Sequence, residues 1–429
     1  IKYSTAGVPL WTNRYSPGSE PVALAVDGSG NVLVTGGLDV GGTTTVKYSS
    51  AGALLWARTY SGDASAMAID ASGNVVVTGW SGNSLGMPDY ATVAYSSAGA
   101  PLWTNIYDGG YVGPFGDGTD RANAVAVDTS GNAFVTGRSS GGSDAYVTIK
   151  YSSAGVPLWT NSYAGARDAT AVVVDRGGNA IVTGGNQDFA TMKYSNAGVP
   201  LWTNLYLRPG NYGSSASALA LDASGNVFVT GSEDLPGWPP NAADWITIAY
   251  SRDGMPLWTN SYNGPASSMD MARTIAVDTS GNVFVTGSSR DSGGNPNIVT
   301  VKYVTPAIIT KQPLSCTNAV GTTASFSVEA VGGLPLSYQW RKGDADLADG
   351  GNIAGVTTTN LLIANVQLTD AGGYSVVVTN AYGTATSAVA QLTVVVPPSG
   401  GQLTNLTYSP ATGLSFIFRD GTVGQPYRI

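Results

Sequence analysis

The chain contains no histidine and a single cysteine, Cys316, in 429 residues. Without histidine there is no Ser-His-Asp or Cys-His machinery, no imidazole metal ligand and no use of the commonest general base. A lone cysteine excludes an intrachain disulfide and leaves the redox compartment unspecified. Charge is scarce, at 11% of residues against roughly 25% in ordinary soluble domains. Lysine and arginine total 20 against 28 acidic residues, for a net charge of −8. Such a chain has no basic footprint for nucleic acid and no attraction to anionic membranes. No apolar run approaches the length of a membrane-spanning helix. No stretch of about 12 residues or more carries a helical apolar period; the pattern alternates instead.

What fills the space is glycine, at 57 residues, with abundant serine and threonine. That mixture suits short strands joined by tight turns. Its organisation is a repeated phrase: Tyr-Ser-x-Ala-Gly-x-Pro-Leu-Trp-Thr-Asn-x-Tyr, a variable gap, then Ala-Val-Asp-x-Ser-Gly-Asn-Val-Phe-Val-Thr-Gly. Its tryptophan recurs at Trp11, Trp56, Trp103, Trp159, Trp202 and Trp258, and its aspartate at Asp27, Asp70, Asp128, Asp175, Asp222 and Asp278, with spacings of 43 to 58 residues.

The unit from 121 to 163 reads as four strands. Ala122 to Asp128 alternates and ends in Asp-Thr-Ser-Gly-Asn, a turn in which aspartate accepts a backbone N–H two residues on and glycine supplies positive φ. Ala133 to Gly137, Tyr146 to Tyr151 and Val156 to Tyr163 follow, the last two joined by Ser-Ser-Ala-Gly. Trp159, Asn161 and Tyr163 share one face of the fourth strand. The tryptophan is expected to pack between neighbouring units, and the lysine that precedes five of the third-strand tyrosines (Lys2, Lys47, Lys150, Lys193, Lys302) to face solvent.

A four-stranded antiparallel repeat of this length is a β-propeller blade. On Val-Asp-x-Ser-Gly-Asn, Val-Thr-Gly, Lys-Tyr-Ser-x-Ala-Gly and Pro-Leu-Trp, residues 1–303 resemble the bacterial SBBP repeats, a family that implies a propeller but no common activity. First, second and fourth strands number six and third strands seven. Six blades are therefore favoured over the family's nominal seven, with Val8 to Tyr15 completing the last blade and closing the ring.

The two constant turns fall on one side of such a disc. The variable loops, 80–89, 108–121, 207–215, 232–244 and 288–297, fall on the other. They and their flanks carry Trp80, Tyr111, Phe115, Tyr212, Trp238 and Trp245, candidates for binding a sugar or peptide. Asp108, Asp117 and Asp120 lie in Asp-Gly-Gly…Gly-Asp-Gly-Thr-Asp. These hard oxygen ligands on a glycine-rich loop make Ca²⁺ the one candidate cofactor. Carboxylate pairs such as Glu233 with Asp234, or Asp117 with Asp120, are the only foothold for a glycosidase-like reading, and no spacing fixes their separation.

Beyond Tyr303 the phrase stops. Residues 304–396 alternate in a new pattern with Trp340 and, in Asp370-Ala-Gly-Gly-Tyr374, a tyrosine two residues before Val376. From about 306 to 396 this resembles an I-set immunoglobulin-like domain, which implies a buried Trp340 and a tyrosine corner at Tyr374. Val328 and Val376 stand where the family's cysteines would be, so apolar packing must replace the bridge. Pro-Pro-Ser-Gly-Gly opens residues 397–429, a linker and partial β module. The expected protein is all-β, with propeller, Ig-like sandwich and a short C-terminal β segment. It is non-catalytic and located outside the cell or on its surface. Strands left open at either end suggest assembly with other copies by β-strand addition into a filament or sheath. The rivals are glycan or peptide binding on the long-loop face, and glycoside hydrolysis.

Overall fold

The computed structural model describes all residues except 17–19, 39–40, 83–86, 111, 114–115, 141–143, 186–188, 208–212, 235–242, 267–268, 398–401, 412 and 420–429. The described elements are strands and one 3-10 turn, Leu368–Asp370. No helix is long and apolar enough to cross a membrane. The chain divides into two compact domains, Ile1–Tyr303 and Val304–Ile429.

The first domain is a succession of antiparallel sheets, or blades, each built from consecutive strands in sequence order. Blade 1 comprises Pro21–Val26, Val32–Gly37, Thr43–Tyr48 and Leu54–Tyr60. Blade 2 comprises Asp63–Ile69, Val75–Gly82, Pro88–Tyr95 and Pro101–Tyr107. Blade 3 runs from Asp120–Val127 to Pro157–Tyr163, blade 4 from Ala169–Val174 to Pro200–Tyr206, and blade 5 from Ser214–Leu221 to Pro256–Tyr262. Blade 6 has three strands, Met271–Val277, Val283–Arg290 and Pro296–Tyr303. Each first strand packs on its predecessor in the succession.

The turns between first and second strands close as their chemistry dictates. Asp128 Oδ1 accepts the Ser130 and Asn132 N–H groups at 2.9 Å, and Oδ2 accepts from the Asn132 side chain at 2.7 Å. The same bonds recur at Asp27, Asp70, Asp175, Asp222 and Asp278. Each of these aspartates is therefore held by its own turn. The 288–297 stretch is not a long loop. Its strands run to Arg290 and from Pro296, and Asp291 repeats the same turn with Asn295.

Blades are joined by the tryptophan strand. Trp56, Trp103, Trp159 and Trp202 each lie against a tyrosine of the following blade, with ring centroids 5.8–6.2 Å apart. Their Nε1–H groups donate to a carbonyl of that blade's Ser-x-Ala-Gly turn or its counterpart, Ser97, Ser153, Asn196 and Arg252, at 3.0–3.2 Å. Two residues on, Asn105, Asn161 and Asn204 donate to the turn glycine at 2.8 Å. That glycine is obligatory twice over. At Gly198, φ is +82°, and a Cβ would lie 2.8 Å from Cγ of Trp159. Blade 6 lacks this turn, and Trp258 Nε1 is left without an acceptor.

The lysines correct the expectation of solvent-facing residues. Lys47, Lys150 and Lys193 are buried. Each spans two blades, pairing with the turn aspartate of its own blade (Lys47–Asp27 2.8 Å, Lys193–Asp175 2.9 Å, Lys150–Asp128 3.8 Å) and donating to the next blade's turn carbonyl. Lys302, in blade 6, stays exposed. A strand enclosed between two neighbours is buried on both faces, so alternation no longer reports exposure.

The expected ring closure through Val8 to Tyr15 is not among the described pairings. Pro9–Trp11 pairs with Lys2–Tyr3 instead. Trp11 docks on blade 1 as Trp56, Trp103, Trp159 and Trp202 dock on their successors, against Tyr48 and the Ser50 carbonyl. The third strands of blades 1 to 5 are buried at every position, whereas Pro296–Tyr303 is covered only at alternate residues. The first strand of blade 1 is similarly open, with Leu24 68% and Val26 58% exposed.

In the second domain, Asn360–Ile363 pairs with Ala324–Ser327, and Ser337–Lys342 with Gly372–Asn380. Trp340 Nε1 donates to the Thr358 carbonyl at 2.9 Å, and the Tyr374 hydroxyl to the Asp370 carbonyl at 2.7 Å. Val328 and Val376 are buried in one core with Trp340. Apolar contact thus stands where a disulfide was absent. Cys316 is half-buried, and burial pushes its thiol above the ordinary range.

Trp159→Ala is expected to cost roughly 3 kcal/mol, and Gly198→Ala more than 1 kcal/mol through a strained φ and the blocked indole. Urea titration of the intact chain measures both. Burial pushes the Tyr151, Tyr194 and Tyr250 phenols up to about 12, against about 10 in an unfolded chain. The protonated form is favoured in the fold, so this stability is complete below pH ~10 and is lost as pH rises toward 12. Burial opposes ionisation of Asp27, but its bonds to Lys47, Asn31 and Ser29 prevail and hold its carboxyl well below the usual range. That contribution is complete above pH ~4 and is lost as pH falls below it. Thermal melts across pH are expected to decline on both flanks, and Asp27→Asn to flatten the acid limb.

Candidate functional site

Opposite the constant turns, the ends of three kinds of strand converge between consecutive blades: the start of a third strand, the end of a fourth, and the start of the next first strand. At the junction of blades 2 and 3 these positions are Asp89, Asp108 and Asp120, whose carboxylate oxygens lie within 4.8 Å of one another. Asp89 and Asp120 are buried and Asp108 is exposed. Asp120 is 1% exposed. Its Oδ2 accepts the Gly109 N–H at 2.6 Å, while its Oδ1 has no hydrogen-bond partner. Asp108 Oδ1 accepts the Gly110 N–H at 2.7 Å. The Tyr107 phenol is raised by burial, then by the charges of Asp120 and Asp108. The arrangement concentrates negative charge at the edge of a dry junction and is suited to hold a hard cation.

Of the expected acidic set, Asp108 and Asp120 meet and are joined by Asp89. Asp117 lies in the short hairpin Val112–Gly113 with Gly116–Asp117. Asp89 was hidden because nothing in its local sequence marks it; only the side-by-side packing of blades brings it near a residue 31 positions on.

The aromatic candidates separate. Trp80 is half-buried at the end of its strand, and Arg121 of the next blade lies over its ring at 4.8 Å. Trp245 is no surface residue: it is 0% exposed, packs against Tyr262 and donates to the Ser288 carbonyl at 3.2 Å. It is the third residue of a third strand, Ala243–Tyr250, and is enclosed at the junction of blades 5 and 6. Tyr111, Phe115, Tyr212 and Trp238 lie outside the described residues. Glu233 and Asp234 are consecutive in one strand and project to opposite faces. Glu233 is buried and accepts from the Tyr206 hydroxyl at 3.1 Å, while Asp234 is exposed. They do not form a facing carboxylate pair.

Comparison with known proteins accords with this construction. Residues 111–143 and 259–293 match the SBBP family model, described as a beta-propeller repeat, and residues 307–394 match the immunoglobulin I-set domain. The chain carries SBBP repeats followed by an I-set domain. Endoglucanase C of Cellulomonas fimi is 36% identical over 94 residues, covering 21% of this chain and 8% of the relative. The chain therefore spans a small part of that relative's length. Among solved structures, a chain of the titin M10–obscurin-like 1 Ig complex is 28% identical, covering 22% of this chain and 99% of its own, with a TM-score of 0.21. A chimeric titin Z1Z2 is 26% identical, covering 22% and 98%, with a TM-score of 0.20. The first matched SBBP segment includes Asp120 and Ser139, so the acidic junction is built partly on repeat positions.

The different settings of the two tryptophans predict different costs. Trp245→Ala is expected to destabilise by about 3–5 kcal/mol, and Trp80→Ala by about 1 kcal/mol, mostly the lost cation–π contact. Denaturant midpoints of the two variants test the distinction.

Proposed function

We propose that this chain is a non-catalytic, modular protein of the extracellular space or cell surface, with a structural or adhesive role fulfilled by association with further copies of itself. The observation that carries this reading is the pair of open blade faces. Within the domain, every first strand from blade 2 onward is sandwiched against the preceding blade. The first strand of blade 1 has the same alternating apolar residues, Val22, Leu24 and Val26, turned to solvent. At the other end, the third strand of blade 6 exposes alternate residues, including Ile298 at 90%. The two faces match the two sides of an ordinary blade junction, so one copy offers what another lacks. A head-to-tail contact of this kind propagates rather than closes. The repeat-plus-Ig organisation, low charge and lack of histidine agree with a structural task.

The same two faces could meet within one chain, closing six blades into a ring, and the oligomeric state decides between these. Light scattering on the intact chain is expected to show mass rising with concentration, and electron microscopy to show linear assemblies. Leu24→Arg with Val26→Arg is expected to reduce association at least tenfold while leaving the melting temperature of the dilute protein nearly unchanged. A wild-type chain that stays monomeric throughout rejects the assembly reading in favour of internal closure.

A further inference from the structure

We propose that the junction between blades 2 and 3 binds Ca²⁺ through the carboxylates of Asp89, Asp108 and Asp120. The first support is geometric: three carboxylate oxygens lie within 4.8 Å of one another, about the span of two Ca–O bonds of ~2.4 Å. The second is independent of acidity as such. Asp120 is almost wholly buried, yet its Oδ1 has no partner, while its Oδ2 is fixed by the Gly109 amide. A buried carboxylate oxygen left unsatisfied costs free energy unless something positive meets it. Glycine at 109 is required here, because a Cβ would lie 2.4 Å from Ser139 Oγ and 2.9 Å from Asp120 Oδ1.

The other junctions of the same domain show what the fold does with this position. Between blades 3 and 4, the residue equivalent to Asp120 is Arg167, and it pairs at 3.4 Å with Asp144, which also accepts from Arg138 at 2.7 Å. There the protein supplies its own cation. Between blades 5 and 6 the carboxylate returns as Asp270, again 1% exposed, with Oδ2 accepting the Gly264 amide at 2.6 Å and Oδ1 unpartnered. In that junction the residue equivalent to Asp108 is Asn263, so one formal charge is lost. Among the described residues, the blade 2–3 junction is the one that gathers three carboxylates. Exposed Asp108 gives the ion a path from solvent, and the buried pair gives it a water-poor seat. A site of this charge at an extracellular surface is expected to bind with a Kd of roughly 0.1–1 mM.

The test uses the whole chain, stripped with chelator and titrated with CaCl₂. Its melting temperature is expected to rise and saturate, and Tb³⁺ to luminesce through the neighbouring aromatics and be displaced by Ca²⁺. Asp108→Ala, a change at an exposed residue, should weaken the response at least tenfold. Asp120→Asn should abolish it and raise the metal-free melting temperature by relieving repulsion. Should Asp120→Asn fail to fold, Asp108→Ala decides alone. A melting temperature indifferent to millimolar Ca²⁺, an unchanged response in Asp108→Ala, or an equal response to Mg²⁺ overturns the assignment. Because these readouts concern the metal and not association, they are independent of whether the chain assembles.

Discussion

Everything in the repeat domain depends on one contact: a tryptophan ring laid on the glycine turn of the next blade. The contact is possible only because that turn has no side chain where the ring sits, and because its glycine adopts positive φ at no steric cost. One docking event joins a hydrophobic surface, an indole hydrogen bond and, two residues on, an amide hydrogen bond. The blades therefore engage through conserved geometry, not through shape fitted case by case. Trp258, whose successor lacks the turn, keeps its ring contact with Tyr303 but loses the hydrogen bond.

The same stacking sets the electrostatics. Strands caught between two blades lose solvent on both faces, and any charge on them must be answered within the protein. On the side of the constant turns blades 1, 3 and 4 share one answer: a buried lysine pairs with the turn aspartate and reaches across to the next blade. Such a pair contributes less to stability than to register, since desolvation offsets much of the attraction. On the opposite side the answer varies by junction. Arginines neutralise the carboxylates between blades 3 and 4, whereas the carboxylate of Asp120 is answered only in part. Variation in how charge is balanced, on a backbone that hardly varies, distinguishes one junction from the next.

The open faces at the first and last blades follow from the same principle. A blade face is apolar because it expects a neighbour. Where none is described, Leu24, Val26 and Ile298 meet water, and Lys302 remains a surface residue while Lys47, Lys150 and Lys193 do not. Exposure here is a property of position in the stack and not of local sequence.

The four-strand order of the repeat, the aspartate turns, the packing of tryptophan between units, and the Ig-like core with Trp340, Tyr374 and two valines in place of a bridge were all legible from the sequence, whereas the strand ends beside the variable loops were not. Turn chemistry and period-two alternation are local and act within a few residues. Tertiary structure alone decided what lay across a junction: that Lys47 is buried, that Trp245 belongs to the core, and that Asp89 joins Asp108 and Asp120. Each depends on a second blade brought alongside from 30 to 60 residues away, and alternation along a single strand carries no record of what will cover its other face.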